Sequence, residues 1–148
     1  MRPGMLLVED NEADILFFKR ALAKVRPGTP LDVVHNGAAA VEFLSGAALP
    51  SVMLLDLKMP RVSGLEVLEW MRSRPAMQSV RTVVLTSSAQ ESDIRQAYSL
   101  GAVSFLVKPV DFAGLRPVVE AIVEYWENPE GPAAAGLARF AAAMPGAR

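Results

Sequence analysis

The chain has 148 residues, 51% of them hydrophobic, enough for one ordinary domain with a real core. Fifteen basic against sixteen acidic residues leave a net charge of −1, which weighs against broad electrostatic binding of nucleic acid or of an anionic membrane surface. There is no cysteine, so a disulfide scaffold and any Cys-ligated zinc or iron–sulfur site are excluded, which fits a cytoplasmic protein.

The first apolar run, residues 5–8, ends in Glu9-Asp10 and is too short for the core of a secretory signal. Nothing approaches the roughly 20 apolar residues that span a bilayer. Residues 11–24 repeat Ile15, Phe18 and Leu22 at helical spacing, so one stripe faces a core. A second run, 31–35, leads to Asn36, a capping residue for a helix carrying Val41 and Leu44. The third run, 52–55, ends at Asp56 and precedes a stripe of Leu65, Leu68 and Met71. The fourth, 82–86, ends at Thr86-Ser87; Ile94, Ala97 and Leu100 then form a stripe closed by Gly101, at a natural position just past a helix end. The fifth, 103–107, ends at Lys108-Pro109, and Asp111 caps a helix with Phe112, Leu115, Val119, Ile122 and Trp126 inward. Pro117 falls inside that pattern, where a proline costs on the order of 3 kcal/mol. The expectation there is a kink, or a first turn separated from a helix that starts near Arg116.

Most runs are continuously apolar, the mark of parallel strands covered on both faces. Five such strands alternating with five helices predict a doubly wound α/β fold with right-handed crossovers. The order 2-1-3-4-5 is taken from the common solution for such sheets and is not read from the residues. The domain is expected over 1–126, with 127–148 as an extension. It comprises a breaker cluster, Asn128-Pro129-Glu130-Gly131-Pro132, then an Ala-rich helix over 133–144 with Leu137, Phe140, Ala141 and Met144 on one face, weakened by Gly136.

Ligands of open α/β sheets bind at the carboxyl ends of the strands. Here those ends carry Glu9, Asp10, Asp56, Thr86, Ser87 and Lys108. Three carboxylates at one sheet edge repel unless neutralised, and a divalent cation and Lys108 are the available neutralisers. An all-oxygen ligand set suits Mg²⁺. Asp56 is then the candidate nucleophile, able to form an acyl phosphate. Glu9, Asp10, Asp56 and the backbone carbonyl of Lys58 are the candidate Mg²⁺ ligands. Lys108 neutralises the transferring group, and the Thr86 hydroxyl donates to a phosphoryl oxygen. Taken singly, Asp10 or Asp56 reads better as a helix cap, Thr86 as a strand residue, Lys108 as a solvated charge and Phe105 as core. It is the coincidence at four strand ends that favours a phosphoryl site. His35, the one histidine, reads as structural or surface, and Trp70 and Trp126 as packing.

Val8-Glu9-Asp10-Asn11, Leu54-Leu55-Asp56-Leu57-Lys58-Met59-Pro60 with Gly64, Leu85-Thr86-Ser87, and Gly101-Ala102 with Phe105-Leu106-Val107-Lys108-Pro109 together resemble bacterial response-regulator receiver domains. The resemblance runs from about Met5 to Trp126. It implies a phosphoacceptor at Asp56, an acidic metal pair at Glu9 and Asp10, and a switch pair at Thr86 and Phe105. It also implies a small residue at Ser87 beside the phosphoryl pocket, a cis peptide before Pro109, and residues tuning self-dephosphorylation at Lys58 and Ser88. Phosphorylation from a sensor histidine kinase is expected to pull Thr86 toward Asp56 and Phe105 inward, switching a protein-interaction surface, with a homodimer as the assembly. The stretch from Asn11 to Leu22 and Lys108-Pro109-Val110-Asp111-Phe112 further resemble stand-alone receivers that partner bacteriophytochrome kinases. The alternative is a Mg²⁺-dependent phosphohydrolase with an aspartyl-phosphate intermediate. It needs a second acid/base aspartate two positions beyond Asp56, where Lys58 stands. A DNA-binding regulator is disfavoured because the segment after Trp126 is short and has only Arg139 and Arg148 as basic residues.

Overall fold

The computed structural model describes residues 3–46, 48–87, 90–131 and Leu137. Five parallel strands, β1 (Met5–Val8), β2 (Leu31–Val34), β3 (Val52–Leu55), β4 (Arg81–Thr86) and β5 (Ser104–Val107), form one sheet in the order β2-β1-β3-β4-β5. Five helices connect and cover it: α1 (Glu12–Val25), α2 (Gly37–Leu44), α3 (Gly64–Arg72), α4 (Glu91–Ser99) and α5 (Phe112–Glu127), with a 3-10 turn at Pro75–Ser79. The predicted fold class and strand order both hold.

The continuous apolar runs are explained by two cores, one on each side of the sheet. Met5 and Leu7 of β1 join Ile15, Phe18 and Leu22 of α1 and Leu115, Val119, Ile122 and Trp126 of α5. Leu6 and Val8 of the same strand face the other way, onto Ala40, Leu44, Val67, Leu68, Met71, Ile94 and Ala97 from α2, α3 and α4. Period-two alternation therefore persists in direction but not in polarity. β2, at the edge, is the one strand with no fully buried residue.

Helix starts follow the expected chemistry. Asn36 accepts from Ala39 N–H at 2.8 Å and Asp111 from Gly114 N–H at 2.8 Å. Ser63 and Glu66 form a reciprocal capping box on α3. Gly101 takes φ = 102° after α4, a backbone that a side chain would strain. The expectation for Pro117 is corrected in one respect: α5 runs as a single helix from Phe112, with no separate start near Arg116. Pro117 lies in the second turn, on the exposed side, so one backbone bond is forfeited while Leu115, Val118 and Val119 bury around it. Phe112 is only partly buried and stacks edge-on against Phe17 of α1, with ring centroids 6.0 Å apart.

Beyond α5, Leu137 is helical and 2% exposed, seated in the α1/α5-side core, and its carbonyl accepts from Ser104 Oγ at 3.5 Å. Phe140, Ala141 and Met144 lie outside the described residues. No helix among the described residues is long and apolar enough to cross a membrane.

Candidate functional site

Register brings the strand ends level. Val8 pairs with Val34 and Leu55, Leu55 with Val84, and Thr86 with Val107. The residues just past those ends are then tied to the neighbouring strand. Glu9 N–H donates to Val34 O at 3.0 Å, Asp56 N–H to Val8 O at 3.1 Å, and Lys108 N–H to Thr86 O at 2.8 Å. The backbone of all three site residues is thus fixed by the sheet itself.

The side chains converge. One carboxylate oxygen each from Glu9, Asp10 and Asp56 lie within 4.8 Å of one another. Glu9 and Asp56 are buried, and Asp10 is exposed. The helix-cap reading of Asp10 fails, because Asn11 caps α1, accepting from Asp14 N–H at 3.0 Å. Asp56 Oδ1 accepts from the Thr86 hydroxyl at 2.7 Å and from Lys58 N–H at 3.2 Å. Lys108 Nζ reaches Glu9 Oε1 at 2.5 Å, Asp14 Oδ2 at 2.8 Å and Asp56 Oδ2 at 3.5 Å.

This clustering shifts protonation. Burial, with Asp56 adding repulsion against the pull of Lys108, pushes the Glu9 carboxyl up to about 7. Burial works against the Lys108 charge, but hydrogen bonds to Asp14 and Glu9 and the field of Asp56 outweigh it and hold the ammonium above its ordinary range.

Phe105 is 1% exposed, and its N–H donates to the Tyr98 hydroxyl at 3.1 Å. The inward Phe105 and the Thr86–Asp56 contact that were expected of the phosphorylated form are therefore both present in this structure. Ser87 is exposed at the site's rim, and Ser88 lies outside the described residues. The expected cis peptide before Pro109 is corrected: no described peptide bond is cis, and the ordinary trans form is the lower-energy one for an isolated X–Pro bond. Lys58 carries its ammonium away from the carboxylates, to 3.1 Å from Asp93 Oδ2 on α4. Asp14 and Asp93 are the residues sequence reasoning missed; each looks like any acid in the first turn of a helix. His35 is exposed.

Comparisons with known proteins point to one family. Residues 5–120 match the family model described as the response regulator receiver domain. A probable methanogenesis regulatory protein, FilR2, of Methanothrix harundinacea (strain 6Ac) is 38% identical over 127 residues, covering 82% of each chain. The phosphorylated cyanobacterial phytochrome response regulator RcpA superposes with a TM-score of 0.81 at 31% identity, covering 88% of this chain and 98% of that one. The Mn²⁺-bound form of response regulator Rcp1 superposes with a TM-score of 0.74 at 29% identity, covering 87% and 97%.

Proposed function

The chain belongs to the response regulator receiver domain family, and from that membership we propose that Asp56 accepts a phosphoryl group from a histidine kinase and thereby switches a protein-interaction surface. The observation that carries this is the convergence of Glu9, Asp10 and Asp56 on one oxygen-lined point, with Lys108 and Thr86 on the nucleophile.

The donor set fits a hard divalent cation: three carboxylate oxygens close together, two of them buried, with no nitrogen or sulfur ligand among them. Glu9, Asp10, Asp56 and the Lys58 carbonyl would hold Mg²⁺, which when bound offsets the charge of the carboxylates and of the incoming phosphoryl oxygens. An Asp56 carboxylate oxygen forms the new O–P bond while the phosphohistidine N–P bond breaks, its electron pair returning to the imidazole nitrogen. Lys108 balances the added charge, Thr86 turns its hydroxyl to a phosphoryl oxygen, and Phe105 packs where α4 meets β5. Ser87, Lys58 and Pro109 are proposed to border the phosphoryl pocket and, with Ser88, to bear on how long the acyl phosphate lasts. This makes the chain a phosphoacceptor switch rather than an enzyme with turnover. The phosphohydrolase alternative loses ground because Lys58, two positions beyond Asp56, is drawn to Asp93 and supplies no acid.

The partner is proposed to be a phytochrome-type histidine kinase, supported by the likeness to RcpA. Nucleic acid and membrane are not expected as partners, and the cytoplasm supplies both Mg²⁺ and kinase-made phosphohistidine. The receiver is proposed to occupy 1–126, with 127–148 as an extension; of its described residues, Glu130 pairs with Arg81 at 3.2 Å and Leu137 packs in the core. The test is phosphotransfer. A purified, phosphorylated phytochrome kinase should lose its label to this chain within minutes, faster than an unrelated histidine kinase does; equal slow transfer from both would defeat the partner assignment. A homodimer through the α4–β5–α5 face, where Tyr98 and Val103 are exposed, is expected on phosphorylation. Light scattering should then show the mass double, and a monomer at high concentration would contradict it.

Glu9 adds a pH dependence. Its folded-state value of about 7 lies above the ordinary 4.5, so between those limits the folded chain binds more protons than the unfolded one. Metal-free stability therefore falls as pH rises through that window, by roughly 3 kcal/mol in all. Urea unfolding of Glu9→Gln should lack this slope. Glu9 would have to be ionised to hold Mg²⁺, so Mg²⁺ affinity should rise with pH between about pH 5.5 and 7.5. Calorimetric titration showing a flat profile would contradict this.

A further inference from the structure

Resting on the reading of Asp56 as phosphoacceptor, we propose that Asp14 is a positioning residue that competes with the phosphoryl group for Lys108 and so weakens the phosphorylated state. Asp14 is the third residue of α1, and the Asn11 cap fixes its backbone by accepting from its N–H. Its Oδ2 lies 2.8 Å from Lys108 Nζ, while Asp56 Oδ2 is at 3.5 Å. Asp14, Glu9 and Lys108 share a cavity of about 120 Å³ between α1 and the β5–α5 loop, walled by Phe17, Phe18 and Leu115.

An ammonium has three protons. Glu9 and Asp14 take two at short range, and the contact to Asp56 is long. A closer approach to phosphoryl oxygens on Asp56 requires Nζ to move toward Asp56 and to lengthen one of the other two contacts. Glu9 is 4% exposed in its side chain and would be left dry, whereas Asp14 is 37% exposed and can take water instead. The Asp14 contact is therefore the one that yields. It holds Lys108 back until a stronger anion arrives, and its strength is subtracted from the binding of that anion.

The probe is trifluoroberyllate, a reversible phosphoryl mimic on carboxylates, titrated with Mg²⁺ into the full chain and followed by ¹⁹F NMR. Asp14→Asn should bind it about threefold to fivefold more tightly, the range of an ion pair partly open to water. Asp14→Glu, which keeps an acid in reach of Lys108, should return most of the way to wild type. Glu12→Gln removes the same charge from the same exposed turn without touching Lys108, and should change affinity little. No gain in Asp14→Asn, or an equal gain in Glu12→Gln, would overturn the proposal while leaving Asp56 as acceptor intact. Failure of every chain, wild type included, to form the adduct would instead remove the phosphoacceptor reading and this proposal with it.

Discussion

Asp56→Asn should leave the fold intact and lower phosphoryl uptake by at least about a hundredfold, from a kinase or from acetyl phosphate. Asparagine keeps the shape and a carbonyl oxygen, so the Thr86 hydroxyl and the Lys58 N–H retain an acceptor where Oδ1 now stands. The amide is a poor nucleophile and cannot carry the acyl phosphate. It also removes the buried negative charge that, with burial, raises the Glu9 carboxyl, so the variant should be no less stable than wild type at neutral pH. Intact mass for uptake and urea unfolding for stability check the two halves separately. Loss of both together would mean that Asp56 holds the fold and not the chemistry.

Gly64→Ala should damage both. A Cβ at Gly64 would stand 2.5 Å from the Asp56 carbonyl and 2.7 Å from Leu57 Cα, and both obstacles are backbone. Gly64 N–H also donates to Leu57 O at 3.1 Å, so the start of α3 and the loop after β3 are one unit. The methyl group must push them apart, at a cost of about 3 kcal/mol. The segment that moves carries Asp56 and the Lys58 carbonyl, and a displacement near 1 Å at a reacting group costs on the order of a hundredfold in rate. The urea midpoint and the initial rate of phosphoryl uptake should fall together. An unchanged midpoint would show that the loop absorbs the methyl group and that Gly64 is not needed for close packing.

Much of this was legible in the residues because the physics is local. Strand boundaries followed from apolar runs with both faces covered, and they agree with the structure to within one residue. Asn36, Asp111 and Gly101 marked helix ends because few residue types serve there. The site was legible because strand ends in an open parallel sheet share one edge, so Glu9, Asp10, Asp56, Thr86 and Lys108 had to meet once the order of strands was assumed. Contacts made by helix side chains were not legible. Asp14 on Lys108 and Asp93 on Lys58 depend on how α1 and α4 are rotated and seated, and an acid in the first turn of a helix carries no mark of its partner. Arg61 takes φ = 71° in the loop between β3 and α3, a left-handed backbone that arginine does not announce. Continuation of α5 through Pro117 was hidden for the opposite reason: the local rule was clear, and burial of Val118, Val119 and Ile122 overrode it.

The most direct measurement takes the wild-type chain with acetyl phosphate, with Mg²⁺ and with chelator, reads intact mass, then reduces the acyl phosphate with borohydride to locate it. One added phosphoryl group is expected, present only with Mg²⁺ and confined to Asp56. No gain from acetyl phosphate or from a phosphorylated kinase, or a gain on any other residue, would contradict it.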